Sequence, residues 1–310
     1  MSDLFKVADP AEQPTGSILL LHGLGGHHYD TWRLEVGRKP WNLDETFWPA
    51  WLARDCASLA IYVVGYNAAV SRLRGTAMHL TDQATSILAR VNAESELAQG
   101  PLTLIGHSLG GLVIKQILRT ADSMARYDKR SAGFIERVER VAFLGTPHLG
   151  SGLATWGDRL RILVRPSSAT ASLVRNDPNL RDLNNWYRDW ANARGITHLV
   201  LTETQRTSFL GTIVSPDSAD PGLANVRPIA IDANHSNICK PSDDTRQIYI
   251  LVRDFNVRLI EKPKPLEDAL VERLVAAFDA RASIAAKSET GVERRTVFEL
   301  CPSAETRRGT

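Results

Sequence analysis

Ser108 stands in Gly106-His107-Ser108-Leu109-Gly110, where the apolar run Leu102 to Gly106 gives way to the helical pattern of "LVIKQIL". A serine hydroxyl is a weak nucleophile alone; it becomes a strong one when a histidine takes its proton and a carboxylate orients that histidine. Glycines on either side are what a tight strand-to-helix turn requires, because side chains there would collide, and Gly111 leaves room for the helix to pack on the sheet. Such a turn lifts the serine oxygen clear of the sheet's end. It also puts the Leu109 N–H at a helix N-terminus, where an oxyanion would form. His107, the variable position of the motif, is expected to support the pocket.

A second element upstream, "LLLHGLGGHHYDTW", is a strand that runs through His22 and Gly23 into a glycine-rich loop. In this chemistry the loop supplies the other oxyanion donor, assigned to the Leu24 N–H beside Gly23. The loop lacks the Lys-Ser/Thr ending of a phosphate-binding loop and the G-x-G-x-x-G order of a dinucleotide site. The base is sought downstream, since the chain order of such triads is serine, acid, histidine. His235, in "PIAIDANHSNICKP", follows the last apolar strand and precedes the final core helix, which is the place for it. His148, in "FLGTPHLGS", comes too early in the chain and is given a supporting role near the pocket. For the acid, "THLVLTETQRT" delivers Glu203 at a strand end, while Asp217 in "GTIVSPDSADPG" is the alternative and Asp220 a third. A strand terminus holds a carboxylate more rigidly than a loop, which favours Glu203; both aspartates also read as ordinary turn chemistry.

These residues need a scaffold, and the 310-residue chain reads as one. With 43% hydrophobic residues it can fill a sizeable core. Short β-branched apolar runs alternate with helical patterns, the signature of βαβ units around a buried parallel sheet. Strands are expected at Ser17 to His22, Leu59 to Tyr66, Leu102 to Gly106, Val138 to Leu144, Thr197 to Thr202 and Val226 to Ile231. A long Trp-, Leu- and Arg-rich stretch, about 149–194, reads as a helical insertion over the sheet's end. It is expected either to act as a lid or to pack its aromatics on the core. The expected division is a catalytic domain over 1–262 and an amphipathic helix with a polar tail over 263–310. That last helix is a candidate for self-association.

Formal net charge is +2, from 37 basic and 35 acidic residues, so nothing in the balance draws the chain to nucleic acid or to an anionic membrane. Three widely spaced cysteines fit neither a disulfide framework nor a metal site, and no cofactor is expected. The first residues lack the charged and apolar regions of a secretory signal, so a cytoplasmic location is expected, with membrane-surface contact left to the insertion.

Taken together, "HGLGG", "GHSLGGLVIKQ", "FLGTPHLGS", "TETQRT", "VSPDSADPG" and "DANHSNICKP" resemble the α/β-hydrolases typified by the serine active site-containing proteins, relatives of lipases similar to GPI inositol-deacylase. The resemblance runs in order from about Ser17 to Leu259. It implies an α/β-hydrolase fold with Ser108 and His235 in a triad, and esterase or lipase-like chemistry on acyl or phospholipid substrates. It leaves the acid open, because both carboxylate blocks match. Two other readings use the same residues: an acyltransferase that passes the acyl group to an alcohol, and a non-catalytic module that kept the fold.

Overall fold

The computed structural model describes residues 2–10, 13–34, 45–68, 79–148, 178–207 and 212–260. Among these residues the centre is a seven-stranded sheet in the order β1-β3-β2-β4-β5-β6-β7. The strands are β1 (Asp3–Lys6), β2 (Gly16–Leu21), β3 (Leu59–Gly65), β4 (Leu102–His107), β5 (Val138–Leu144), β6 (Thr197–Glu203) and β7 (Ile229–Ile231). All neighbours run parallel except β1, which pairs antiparallel with β3 at the edge.

Burial on both faces explains why the inner strands read as unbroken apolar runs. Every residue of β2 and β4 is buried. Because side chains alternate across a strand, Ile18 and Leu20 enter one hydrophobic layer and Leu19 and Leu21 the other. The first layer is covered by α1 (Trp48–Asp55) and the later helix Gln247–Ile260. The second is covered by α2 (Leu80–Asn92), α3 (Leu109–Met124), α4 (Lys129–Arg137) and α5 (Pro178–Arg194). A single-turn helix, α6 (Pro216–Ala219), leads towards β7, and Gln247–Ile260 is α7.

Two strand readings needed correction. The sequence DLFK of β1 has no apolar run, so hydrophobicity does not mark it; β3 recruits it as an antiparallel edge. The strand expected from Val226 begins only at Ile229, because Pro228 has no N–H to offer a ladder. The C-terminal side of the expected insertion, about 149–194, is the helix α5 (Pro178–Arg194). Helix α5 buries Leu180, Leu183, Tyr187, Trp190 and Ala191 in the same layer as α3, so its aromatic stripe is a core face rather than a lid. Residues 149–177, with Trp156, lie outside the described residues. The chain divides into the units Met1–Ile260 and Glu261–Thr310. The expected C-terminal helix and tail, 263–310, are likewise outside the described residues. No helix among the described residues is long and apolar enough to cross a membrane.

The order of strands creates the site. From β2 the chain goes to β3 on one side and then returns to β4 on the other, so the loops after β2 and β4 leave the sheet in opposite senses from adjacent strands. Such switch points open the crevice where ligands bind in α/β sheets. Here the register pairs Leu21 with Gly106, which brings the Gly23 loop and Ser108 side by side.

Helix α3 is anchored by a residue that looks misplaced. Lys115 is fully buried, with Nζ 2.7 Å from His148 Nδ1 and donating to Asn184 Oδ1 at 2.5 Å, over the rings of Phe143 and Tyr187. Asn184 belongs to α5 and His148 to the loop after β5, whose backbone N–H donates to Ser218 O at 2.6 Å. One side chain thus ties α3 to the loop after β5 and to α5. Burial, reinforced by the Arg188 charge, pushes the Lys115 ammonium well below its usual range. A base with a depressed native pKa gives its full stability above the unfolded value, near 10.5, and loses it as pH falls towards the native one. Stability to denaturant should therefore rise between pH 7 and 10 more in the wild type than in Lys115→Met; parallel pH profiles from chemical denaturation would disprove this.

Candidate active site

Ser108 occupies the N-cap of α3 with φ 53° and ψ −122°, the left-handed side of the map that an L-residue enters at a cost. Serine at an N-cap ordinarily turns its oxygen back onto the helix amides. Ser108 makes no such cap. Its Oγ instead lies 2.9 Å from His235 Nε2, and His235 Nδ1 lies 2.6 Å from Glu203 Oε2. A carboxylate only accepts, so Nδ1 carries the proton and Nε2 is left with a lone pair facing the serine hydroxyl. The three residues are 2%, 5% and 1% exposed, so these bonds form away from competing water.

Each member is held from a different strand end. Glu203 closes β6, and its Oε1 accepts from the N–H groups of Ile213 and Val214 at 2.5 and 3.0 Å. With His235 that makes three donors on a buried carboxylate, which is how such a charge is tolerated inside a protein. His235 follows β7 on a turn in which Asn234 Oδ1 accepts from Ser236 N and Asn237 N. Its backbone is gripped at both ends: its N–H donates to Thr207 Oγ1 at 3.3 Å, and its carbonyl accepts from His107 Nε2 at 2.9 Å. Four residues on, the carbonyl of Cys239 accepts from the Trp48 indole of α1 at 2.9 Å. Gly145 lies beneath the pair at φ 57°; a Cβ there would sit 3.3 Å from His235 Nδ1 and 3.5 Å from Glu203 Oε2.

The oxyanion elements meet at the switch point. The Leu109 amide is the first of α3, and among the described residues neither it nor the Leu24 amide has an acceptor. Gly23 packs so closely that a Cβ would stand 2.9 Å from Ser108 Cβ. A cleft of about 320 Å³ lies against this loop, lined by Gly23 to Gly26, His107, Ser236 and Lys240 among others.

Of the residues proposed from sequence, Ser108, His235, Glu203, Leu24, Leu109, Gly23 and His107 come together here. His148 is near neither Ser108 nor His235 by any hydrogen bond; it is buried edge-on against Phe143 and paired with Lys115. Asp217 sits in the first turn of α6, and Asp220 Oδ1 accepts from Gly222 N in a tight turn. The carboxylate at His235 is that of Glu203. Sequence reasoning missed Thr207 and Lys115, since neither stands in a pattern with chemical meaning. It gave His22 no role beyond the strand it ends, although its place next to the glycine-rich loop was a usable signal.

Residues 13–157 match a family model described as "Putative serine esterase (DUF676)". Protein SERAC1 of Mus musculus is 30% identical over 250 residues, 75% of this chain and 37% of that protein, and the Homo sapiens protein aligns with the same figures. The chain thus spans little more than a third of the length of these relatives. Among solved structures, the mature form of the Bacillus licheniformis lipase BlEst2 superposes with a TM-score of 0.56 at 16% identity, covering 81% of this chain and 98% of that one. Its propeptide form gives 0.54 at 18%, covering 81% and 53%. At such identities the likeness concerns the fold, which is that of the α/β-hydrolases.

Burial holds the imidazoles of His22 and His107 down at about 4 and about 3. Both are therefore neutral in the folded protein at pH 5, where an unfolded histidine, near 6.5, is charged. The unfolded chain then binds the extra protons, so stability is full above pH 6.5 and falls as the pH drops towards 4. His107→Gln keeps a donor for the His235 carbonyl and cannot titrate, so its melting temperature should decline less than the wild type's between pH 7 and 4. A steeper decline would contradict this origin of the acid sensitivity.

Proposed function

We propose, from the match of residues 13–157 to the family model and from the geometry of the site, that this chain hydrolyses carboxylic esters, with Ser108 as nucleophile, His235 as general base and acid, and Glu203 as the carboxylate that orients it. The observation that carries this reading is the unbroken hydrogen-bond path from Ser108 Oγ through the His235 ring to Glu203, at 2.9 and 2.6 Å.

In this mechanism Ser108 Oγ attacks the ester carbonyl carbon while Nε2 of His235 takes its proton. The carbonyl oxygen becomes an oxyanion, held by the N–H groups of Leu109 and Leu24. The bond to the leaving alcohol breaks, and the imidazolium returns the proton to that alcohol. Water then repeats the sequence on the acyl-serine, with His235 again as base, and releases the acid and free Ser108. Glu203 accepts from Nδ1, holds the ring with Nε2 towards the serine and stabilises the imidazolium. The elbow geometry supports this division of work, because a cap-free serine keeps its hydroxyl for the base.

The test uses the intact protein. A fluorophosphonate should label the wild type and leave Ser108→Ala unlabelled, and wild type should release p-nitrophenol from short acyl esters. An intact protein that neither labels nor turns over would end the esterase reading in favour of a non-catalytic module. A product ester formed with added alcohol would move it to acyl transfer. Glu203→Gln should lower kcat by roughly 10⁴-fold, the effect of an imidazole that loses its orienting carboxylate, whereas Asp217→Asn should leave it within a few-fold. The opposite ranking would transfer the orienting role to Asp217.

A further inference from the structure

We propose that His22 is the positioning residue of the oxyanion hole, acting through the Gly23 carbonyl on the Leu24 N–H; the inference rests on the esterase reading above. A trans peptide unit is rigid and planar, so the carbonyl of one residue and the N–H of the next point in opposite directions and turn together. The Gly23 carbonyl and the Leu24 N–H are two ends of one such plate. Whatever grips that carbonyl aims that amide.

The Gly23 carbonyl is gripped twice. His22 Nδ1 lies 2.9 Å from it, and Gly26 N–H donates to it at 3.1 Å. A carbonyl only accepts, so Nδ1 must carry the imidazole proton. The preceding plate is held too, because the Tyr66 hydroxyl donates to the His22 carbonyl. The same tyrosine ring stacks on the imidazole, with centroids 4.2 Å apart and planes within 12°, so the donor itself cannot swing. His22 is 1% exposed, and its ring touches neither Ser108 nor His235 by any hydrogen bond.

The need for such a grip comes from the neighbouring glycine. Position 23 admits no side chain, because a Cβ would press on Ser108. A glycine there leaves the following plate freer to turn than a residue with a side chain would, and the transition state needs that plate in one orientation. His22 restores the order that Gly23 gives up.

His22→Phe keeps a ring for Tyr66 and removes the donor. His22→Asn places an amide N–H close to where the imidazole Nδ1–H stood. With the wild type active and labelled, His22→Phe should lose about 10²-fold in kcat/KM, mostly in kcat, with KM within a few-fold. Affinity for a trifluoromethyl ketone, whose hemiketal mimics the oxyanion, should fall by a similar factor, and His22→Asn should recover most of both. Tyr66→Phe, which keeps the stack and removes one hydroxyl, should shift the same two quantities by a smaller factor in a protein that remains folded at the assay temperature. Should His22→Phe fail to fold, Tyr66→Phe and His22→Asn carry the test. Folded variants with wild-type kcat, or with reduced kcat and an unchanged ketone affinity, overturn the role of His22 alone. A wild type that neither labels nor turns over overturns it together with the esterase reading.

Discussion

Ser108 holds φ at 53°, a conformation that costs an L-residue on the order of 1–3 kcal/mol, and the architecture around it exists to hold it there. The strain is offset locally: the Ser108 N–H donates to the Leu144 carbonyl of β5, and its own carbonyl accepts from Gly111 N–H. Close packing does the rest. A Cβ at Gly106 would strike the backbone of Gly110 and Gly111, and one at Gly110 would strike the carbonyls of Leu21 and His22. Helix α3 can therefore start directly against β2, and the serine oxygen emerges towards His235 instead of folding back as a cap.

From that constraint the polar network spreads outward through loops rather than through the sheet. Glu203 draws the 213–214 segment onto itself, the turn after β7 carries His235 between Thr207 and His107, and the loop from Gly145 to His148 passes beneath the pair. That loop ends at His148, which pairs with Lys115 of α3 in a second buried polar centre that has no carboxylate among the described residues. The two centres share strands and loops without sharing a hydrogen bond between their side chains. A charged lysine is costly in this apolar layer, so its depressed pKa reflects burial, with the Arg188 charge adding to it.

Much of the site was legible because its residues sit at strand ends, where local pattern and chemistry coincide. The Gly-x-Ser-x-Gly turn announces its own geometry, since few other sequences tolerate it. His235 could be found by its position after the last strand, and Glu203 by its place at the end of β6. Less legible were residues whose role depends on a partner far along the chain. Lys115 reads as one more helix residue until His148 and Asn184 are brought to it, and Thr207 has no pattern at all. The edge strand β1 was invisible because an edge can be polar, and the aromatics of α5 left lid and core packing equally open because a core stripe and a lid stripe have the same period.

By itself the sequence determined the fold class and the order of serine, carboxylate and histidine along the chain. Hydrophobic periodicity and glycine placement are local properties, and chain order is written in the residues. Only the tertiary structure decided which carboxylate meets His235, that the Ser108 hydroxyl is free of its helix, and that His22 reaches the Gly23 carbonyl under the Tyr66 ring. Those outcomes depend on distances of about 3 Å between segments as many as 127 residues apart, and such distances are set by strand order and packing, which no local pattern encodes.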